Sequence, residues 1–387
     1  MIRALLAATL IASSPVAAFS QEDVKIGVVT TLSGPGGYLG QDVRDGMLLA
    51  IAEGNGTLGG VPVKLLVEDD AGKPGDGRQI AERMMSDEDV KIFTGIIFSN
   101  VAGATVPSIV DNDAIYISPN AGPSNFAGKG CNENYFVSSF QNDTLHEAAG
   151  LAANDLGYKR AFILAPNYQA GKDSLAGFRR TFKGEIIDET YTQLEQTDYS
   201  TEMARIRAAQ PDVVFQFHPG GLGIAFMRQY QQAGLMGKIP MVLSEANSDL
   251  VILKALGDAS IGLMTATHWS PDLKNAANVA FVANWKKTFP GRPVTTYASQ
   301  GYDNARLIGA ALKAAGGDKD IGAVREGLRK ADFEAVRGNF SFGPNQHPLQ
   351  NWYLAEVVKD ENGLPTTVIR KTLAENMGDS YAADCQL

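Results

Sequence analysis

The feature that most constrains the fold is a regular alternation of apolar strand segments with helix segments along almost the whole chain. The pattern begins with an apolar strand at 24–30, and a helix with an apolar stripe follows it. The residues of that stripe are Leu39, Val43, Met47 and Ile51. Strands that alternate with helices build parallel sheets, because each parallel strand must be reached by a crossover. The sequence therefore predicts an α/β protein.

The alternation occurs in two runs, which predict two doubly wound lobes with parallel sheets. One sheet is complete by about residue 140, and a second run of strands starts at 161. The helices after 275 and the strands after 350 have no sheet of their own, so they must complete the earlier lobes. We therefore predict several crossings between the lobes. The predicted domains are lobe 1 (21–140 and 269–345), lobe 2 (141–268 and 346–375) and a C-terminal tail (376–387).

Residues 1–20, MIRALLAATLIASSPVAAFS, have the three-part pattern of a secretory signal peptide. A basic residue, Arg3, precedes an apolar run, and small residues at its end suit cleavage after Ala18 or Ser20. The run is too short for a membrane-spanning helix, and no cysteine follows it to carry a lipid. The apolar start of a cytosolic protein is the alternative. We expect cleavage, export and a soluble mature protein.

The charge balance is acidic, at −9 for 387 residues, which disfavours nucleic acid and anionic membranes as partners. A small anionic ligand stays compatible, because a site can supply its own positive potential. The G-x-G-x-x-G match at 54–59 follows a helix and precedes a strand, the reverse of a dinucleotide-binding loop. Four histidines are scattered without an H-E-x-x-H motif. We therefore expect no cofactor, no metal site and no catalytic residue.

The two cysteines, Cys131 and Cys385, predict one disulfide, because exported chains usually pair their cysteines. The bridge would connect the last residues of the chain to a loop of the first lobe. A zinc site is disfavoured, since two distant thiols without a histidine pattern do not supply its ligands. Two free thiols are the alternative.

Neutral hydrogen-bond donors follow several predicted strands of the first lobe. The loop SGPGGY at 33–38 follows the first strand, Ser99-Asn100 opens a helix after the third, and Ser118-Pro119-Asn120-Ala121-Gly122 follows the next. Ligands of parallel sheets bind outside the carboxyl ends of the strands, and free N–H groups at a helix start favour an anion. These loops predict a carboxylate site that needs no Lys or Arg. Helix capping and turn formation are the alternative roles.

An ordered set of segments resembles the periplasmic solute-binding proteins of the branched-chain amino acid (leucine-binding) family. The segments are VKIGVVTTLSGPGGYLGQDVRDGMLLAIAEGNG, VPVKLLVEDDAGKPGDG, IFTGIIFSNVAGATVP, YISPNAGPSN, PDVVFQFHPGG, IPMVLSEANSD and TYASQGYDNARL. The resemblance implies a type I periplasmic binding protein fold, in which two lobes joined by three hinge segments close over a ligand. It also implies a periplasmic, monomeric protein that delivers its ligand to an inner-membrane ABC permease and its ATPase.

Two parts of this resemblance point to different ligands. HWSPDLKNAANVAFVANW, FEAVRGNFSFGPNQHPLQNWYLAEVVKD and YAADCQL resemble the branch of the family that binds aromatic carboxylates. Glu245 in SEAN matches the position where leucine-binding relatives hold the ammonium group of an amino acid. A buried carboxylate needs a cationic partner, which favours an amino acid, although Glu245 could instead bind a ligand hydroxyl or point to solvent. An amino acid and an aromatic acid therefore both stay open as ligands.

The second lobe and several aromatic residues complete the predicted site. Tyr168, His218 and Glu245 would face the first lobe, and aromatic side chains would form stacking walls, although single aromatics are more often core residues. The predicted ligand-binding residues are Tyr38, Ser99, Asn100, Ser118, Asn120, Ala121, Tyr168, His218, Glu245, Trp269 and Tyr302, with Phe98 as a further wall candidate. The alternatives are a ligand-sensing module of a membrane receptor and an exported enzyme that uses Glu245 and His218 as an acid–base pair.

Overall fold

The computed structural model describes residues 23–318 and 320–387, and it contains strands in two sheets. The predicted signal peptide at 1–20 lies outside the described residues. The strands are β1 (Val24–Thr30), β2 (Thr57–Leu58), β3 (Val61–Asp69), β4 (Ile92–Thr94), β5 (Ile115–Ser118), β6 (Tyr135–Val137), β7 (Arg160–Pro166), β8 (Glu185–Thr192), β9 (Val213–Gln216), β10 (Met241–Ser244), β11 (Met264–Thr267), β12 (Phe340–Phe342), β13 (Pro348–Lys359) and β14 (Pro365–Met377).

The first sheet has the strand order β2-β3-β1-β4-β5-β6, and all its pairs are parallel except β2 with β3. The second sheet has the order β12-β13-β11-β10-β9-β7-β8, with β14 paired to β13. Its strands β7 to β11 are parallel, while β12, β13 and β14 are antiparallel additions at one edge. Strand β1 is buried along almost its whole length because helices cover both faces of the first sheet.

Helices cover both sheets. They are α1 (Gly37–Glu53), α2 (Pro74–Glu88), α3 (Ser99–Val110), α4 (Asn142–Asp155), α5 (Gln169–Thr181), α6 (Ser200–Ala209), α7 (Gly221–Gln232), α8 (Leu250–Leu256), α9 (Ala276–Thr288), α10 (Thr296–Ala315) and α11 (Ile321–Lys330). Short 3₁₀ turns occupy Ser124–Phe126, Glu245–Asn247, Gly257–Ser260 and Ala382–Asp384. Among the helices that the structure describes, none has the length and hydropathy needed to cross a bilayer.

Helices α9 and α10 complete the first lobe. The sequence predicts this, because these late helices have no sheet of their own to cover. Helix α10 packs along α1, and the helices approach so closely that a Cβ atom on Gly301 would lie 2.0 Å from the carbonyl oxygen of Val43. Glycine on α1 has the same role, since a Cβ atom on Gly46 would lie 2.2 Å from the carbonyl oxygen of Ala298. The side chains of α9 and α10 join the core that contains β1 and β4.

Within the described residues, the chain passes between the lobes in three segments, at 138–141, 268–275 and 331–339. Buried Arg337 connects two of these segments, because it pairs with Asp303 at 3.1 Å and donates to the carbonyl oxygen of Ser139 at 2.9 Å. The α/β fold with two parallel-sheet lobes and a three-segment hinge is confirmed. Strand β12, placed in lobe 1 by the sequence, pairs with the second sheet while Phe340 and Phe342 pack on the core of the first.

Cys131 and Cys385 form a disulfide with an S–S distance of 2.05 Å, so the predicted pairing is confirmed. The bridge joins the C-terminal tail to the loop before β6. The tail also contacts the second lobe, because the hydroxyl group of Tyr381 donates to Asp143 at 2.9 Å and accepts from Arg180 at 3.0 Å. The tail therefore contacts both lobes on the hinge side.

Candidate functional site

A pocket lies between the two lobes, at the carboxyl ends of β4, β5 and β9. The polar residues of its lining are Ser99, Asn120, Asn142, His146 and Tyr168. The apolar and aromatic residues are Leu39, Ile97, Phe98, Ala121, Phe140, Leu145, Ala170, Phe217, Pro219, Ala246 and Tyr297. Among the described residues that line this pocket, none is Lys, Arg, Asp or Glu. Each lobe contributes to the lining, so a molecule held here contacts both.

One end of the pocket presents neutral donors. Ser99 is the first residue of α3, and the N–H groups of the first helical turn have no partner within the helix. The Ser99 Oγ atom accepts a hydrogen bond from Asn142 Nδ2 at 3.0 Å, which leaves its hydroxyl proton to be donated to a ligand. Asn142 also donates to Asp173 at 2.9 Å and accepts from the N–H group of Gly122 at 3.1 Å. Its amide is therefore fixed in the orientation that prepares Ser99 as a donor.

The loop after β5 forms the neighbouring wall. Asn120 donates to the carbonyl oxygen of Ile97 at 2.8 Å, so its side chain ties this loop to the loop before α3. Ser118 is fully buried and donates to the carbonyl oxygen of Ala121 at 2.6 Å. Ser118 thus shapes the turn, whereas Asn120 and Ala121 reach the pocket lining.

Aromatic rings form much of the remaining lining of the pocket. Tyr168 stacks on Phe217 with ring centroids 6.4 Å apart and an angle of 14° between the planes. His146 meets the same Phe217 edge-on, at 4.8 Å and 70°. Phe98 and Phe140 contribute further rings to the lining. Flat apolar walls of this kind suit a planar apolar ring between the donors and His146.

His146 is a neutral residue inside this wall. It is 1% exposed, and burial lowers its pKa to about 3, so the imidazole carries no charge at neutral pH. Its Nδ1 atom is buried and has no hydrogen-bond partner among the described residues.

Glu245 does not face this pocket. Its carboxylate accepts from the Thr267 hydroxyl at 2.6 Å, from the N–H group of His268 at 2.9 Å and from the hydroxyl of Thr296. Burial raises the pKa of Glu245, but the adjacent His268 ring, 2.6 Å away, and these hydrogen bonds hold it below its ordinary value. The carboxylate is therefore ionised and occupied by the protein's own groups. It lines a small neighbouring pocket together with Asp249 and Trp269.

Other predicted site residues lie outside the pocket lining. His218 is buried, stacks on Phe226 at 4.8 Å and is hydrogen-bonded to Gln216 at 2.8 Å, so it belongs to the core of lobe 2. Trp269 donates to Asn278 at 2.7 Å. The hydroxyl group of Tyr302 donates to Glu53 at 2.6 Å. No hydrogen bond or ion pair between described residues joins His218 to Glu245 as an acid–base pair would require.

Tyr38 and Asn100 lie close to the pocket without joining its lining. Tyr38 packs edge-on against Tyr297, with ring centroids 6.4 Å apart, and Tyr297 itself reaches the pocket. Asn100 follows Ser99 on α3, and its Oδ1 atom is buried without a described partner.

The sequence analysis missed Asn142, His146, Phe217 and Tyr297 as pocket residues. Asn142 and His146 are four residues apart at the start of a helix that follows a strand, which places both on one face. That spacing was a usable signal. Phe217 and Tyr297 carry no comparable signal, because an aromatic residue at a strand end or a helix start is usually core.

Contacts across the mouth of the pocket hold the lobes together. The N–H group of Gly221, at the start of α7, donates to the carbonyl oxygen of Pro35 at 3.1 Å. Pro35 belongs to the SGPGG loop before α1, so this loop forms a lip of the cleft. Further along, the hydroxyl of Ser124 donates to Asp173 at 2.7 Å. These bonds bring the two lobes into contact around the pocket.

The family model described as periplasmic binding protein matches residues 23–362 of the chain. The chain belongs to this family. Its periplasmic binding protein fold explains why the site lies between two lobes rather than within one. The resemblance to leucine-binding solute-binding proteins is thereby confirmed.

Relatives of this periplasmic binding protein are solute-binding proteins of ABC transporters. It is 28% identical over 351 residues to Leu/Ile/Val-binding protein homolog 6 of Brucella melitensis, covering 88% of this chain and 89% of the relative. A solute-binding protein of an R. palustris ABC transporter, solved with benzoate, is 29% identical with a TM-score of 0.88, over 95% of this chain and 100% of the other. One from Rhodopseudomonas palustris BisB5, solved with 3,4-dihydroxybenzoic acid, is 27% identical with a TM-score of 0.85, over 92% and 99%.

The described part of this periplasmic binding protein contains no group of three or more His, Cys, Asp or Glu side chains placed to hold a metal ion.

Proposed function

We propose that this protein is the periplasmic receptor of an ABC importer and that it captures an aromatic carboxylate of the benzoate class between its lobes. The observation that carries the proposal is the composition of the pocket lining. Neutral donors occupy one end, aromatic rings occupy the sides, and no described lining residue is acidic or basic. Benzoate has the matching shape, with one anionic end and one flat apolar body.

The carboxylate would lie at the start of α3. The unpartnered N–H groups of the first helical turn and the helix dipole, about half a positive charge, favour an anion there. The Ser99 hydroxyl, oriented by Asn142, supplies a further donor. A carboxylate can therefore be bound without Lys or Arg.

An α-amino acid is the second candidate, because curated relatives are named Leu/Ile/Val-binding. Its ammonium group would require an acceptor, and a buried cation without one is strongly disfavoured. Glu245, the residue expected for that role, is engaged by Thr267, His268 and Thr296. The lining therefore favours an aromatic acid.

The proposal includes capture without chemical change, release to a permease and its ATPase, and action as a monomer. A ligand that contacts Ser99 in lobe 1 and Tyr168 in lobe 2 would stabilise the closed state through both. An enzymatic role is disfavoured because His218 and Glu245 are each engaged elsewhere. A sensing module would have the same pocket, and genes for permease and ATPase subunits next to this gene would separate the two roles.

Isothermal titration calorimetry on the exported protein tests the ligand class. Benzoate and hydroxybenzoates should bind with a Kd of about 1 µM or tighter, which corresponds to about −8 kcal/mol. Methyl benzoate, which has the same ring but no anion, should bind at least tenfold more weakly. Leucine and valine should not bind. Tight binding of leucine, or failure of every aromatic acid, would overturn the proposal.

A further inference from the structure

Asp173 is a buried carboxylate of lobe 2 that lies directly behind the pocket lining, in contact with Asn142. It belongs to α5 and is 4% exposed. Asn142 donates to its Oδ2 atom at 2.9 Å, and Gln169 donates to its Oδ1 atom at 2.7 Å. Ser124 of lobe 1 donates twice, from its hydroxyl group to Oδ1 at 2.7 Å and from its N–H group to Oδ2 at 3.1 Å. Each oxygen of the carboxylate therefore accepts two hydrogen bonds.

These bonds favour the ionised form of Asp173. Burial and the nearby carboxylate of Asp143 raise the pKa of Asp173, while the hydrogen bonds from Ser124 and Asn142 oppose that rise because they bind the charged form. Three of the four donors are N–H groups, which cannot accept a proton from a carboxyl group. An ionised carboxylate only accepts hydrogen bonds, so it dictates which atom of a neighbouring amide can face it.

Asp173 thereby sets the direction of the hydrogen bonds that lead from it to the pocket. The amide of Asn142 must turn its nitrogen toward the carboxylate. The second N–H of that nitrogen then donates to Ser99 Oγ at 3.0 Å, while the amide oxygen accepts from the N–H group of Gly122 at 3.1 Å. Ser99 is left to donate its proton into the pocket. A rotated Asn142 amide would instead accept the Ser99 proton, and a ligand would lose this donor.

Asp173 and Asn142 stay together in lobe 2, because the helices that carry them are in direct contact. A Cβ atom on Gly177 of α5 would lie 2.3 Å from the carbonyl oxygen of Asp143 on α4. Three further residues of this network belong to lobe 1, and they are Ser99, Gly122 and Ser124. Closure of the lobes therefore completes the network around a pair of side chains that lobe 2 already holds in contact.

From this network we infer that Asp173 is a positioning residue, which fixes the Asn142 amide and so keeps the Ser99 hydroxyl available to the ligand's carboxylate. Ser124 holds the Asp173 carboxylate in place once the lobes are closed. The inference rests on the proposed function and adds to it two residues that lie outside the pocket lining.

Calorimetry with benzoate on single and double variants tests the inference. Asp173→Asn places a group that can donate as well as accept beside Asn142, whose amide is then free to rotate, and benzoate binding should weaken about tenfold or more. If this loss acts through Ser99, the Asp173→Asn/Ser99→Ala protein should bind about fivefold or more tightly than two independent losses would give. A merely structural role of Asp173 would give additive losses instead. Melting curves check that each variant folds.

Ser124→Ala is a second variant, which keeps the test decisive when Asp173→Asn does not fold. It removes one donor to Asp173 that only the closed protein supplies, so the closed state should open sooner. The dissociation rate of benzoate in stopped-flow measurements should rise about threefold or more, whereas the association rate stays within about twofold. Ser174→Ala on α5 is the matched control, because the Ser174 hydroxyl donates to the carbonyl oxygen of Gly171 within the helix. Both rates of this control should stay close to the wild-type values.

The outcomes separate the inference from the proposed function. Additive losses in the double variant would overturn the inference and leave the capture of an aromatic carboxylate standing. An unchanged dissociation rate in Ser124→Ala would do the same. If neither benzoate nor a hydroxybenzoate binds to the wild-type protein, the proposed function fails, and the inference that rests on it fails as well.

Discussion

Ser99 combines three properties that suit a carboxylate site. It opens α3, it is 3% exposed, and its oxygen is already occupied as an acceptor by Asn142. The sequence predicted Ser99 from its place after a strand and before a helix. Asn142, which fixes the direction in which the hydroxyl donates, was not predicted, because its contact crosses between the lobes and depends on their closure.

Ser99→Ala should weaken aromatic-acid binding by roughly 10- to 100-fold. A hydrogen bond to a charged group contributes about 1.5–3 kcal/mol, and each 1.4 kcal/mol is a factor of ten. Calorimetry with 4-hydroxybenzoate measures the change. Ser108→Ala on the same helix is the matched control, since the Ser108 hydroxyl donates to the carbonyl oxygen of Thr105 within α3. The Kd of this control variant for 4-hydroxybenzoate should stay within twofold of the wild-type value. A Ser99→Ala protein with unchanged affinity would contradict this placement of the carboxylate.

Glu245→Gln should destabilise the protein more than it weakens ligand binding. The substitution replaces a fully buried carboxylate that accepts hydrogen bonds from Thr267, His268 and Thr296, and each buried group that loses its partner costs about 1–3 kcal/mol. The denaturant midpoint should fall clearly, while the Kd for benzoate changes by less than threefold in the folded protein. A large loss of affinity with unchanged stability would instead place Glu245 at the ligand.

At the scale of elements, the sequence predicted most strands and helices but misplaced the start of the helix that matters most for the site. The sequence pattern predicts a helix over 144–156, whereas helix α4 begins at Asn142. Its N-cap is Gln141, whose side chain accepts from the N–H group of Thr144 at 3.1 Å. Glutamine is not among the preferred N-cap residues, so the start carried no ordinary signal. The two residues lost from the predicted helix include the one that orients Ser99.

The third strand shows a related limit, because the apolar run at 90–98 predicts a strand over its whole length. The structure has a strand only over Ile92–Thr94, and the apolar residues after it enter the loop that leads into α3. Gly95 adopts a φ of +106°, which interrupts the strand. A continuous apolar run does not distinguish a buried strand from a buried loop.

The crossing of α1 and α10 yields a prediction about packing. Gly301→Ala should lower the free energy of unfolding by about 1–3 kcal/mol, because the new Cβ atom would meet the backbone of Val43 and force the helices apart. Chemical denaturation measures the change. Gly103→Ala is the matched control: it lies within α3 with no atom within 4 Å of its Cβ position, and it should stabilise by up to about 1 kcal/mol. If Gly301→Ala left the free energy of unfolding unchanged, the two helices would be able to separate without cost.

At the scale of the whole molecule, closure brings together groups that are distant in sequence, which sequence patterns could not predict. Asp249 caps α8 in lobe 2 by accepting from the N–H group of Val251 at 2.9 Å. In the closed structure its carboxylate is buried close to the hydroxyl group of Tyr38, and Asp42 also lies near it, both on α1 of lobe 1. Glu245, which belongs to lobe 2 like Asp249, is a further negative charge near this carboxylate. Asp42 is itself paired with Arg292, which limits the repulsion.

This arrangement predicts that closure takes up a proton. Burial, with the nearby Asp42, raises the pKa of Asp249 to about 7 in the closed structure. In an open cleft, where water reaches the carboxylate, we expect an ordinary value of about 3.9. The closed state therefore holds a proton that the open state has lost between about pH 4 and pH 7. Closure and ligand affinity should weaken as the pH rises through that window and become constant above it.

Asp249→Asn isolates this effect, because an amide keeps the shape of the cap and cannot ionise. For the wild-type protein the Kd of 4-hydroxybenzoate should rise by about tenfold between pH 5.5 and pH 7.5, since the uptake of one proton changes affinity by up to a factor of ten per pH unit. The variant should show a flat profile and bind more tightly than wild type at pH 8. Asp198→Asn, a change at an exposed carboxylate that accepts from the N–H group of Ser200 in lobe 2, should leave the wild-type profile intact. If the wild-type and Asp249→Asn profiles run parallel, the proton is taken up elsewhere and the two lobes do not meet at Asp249 when they close.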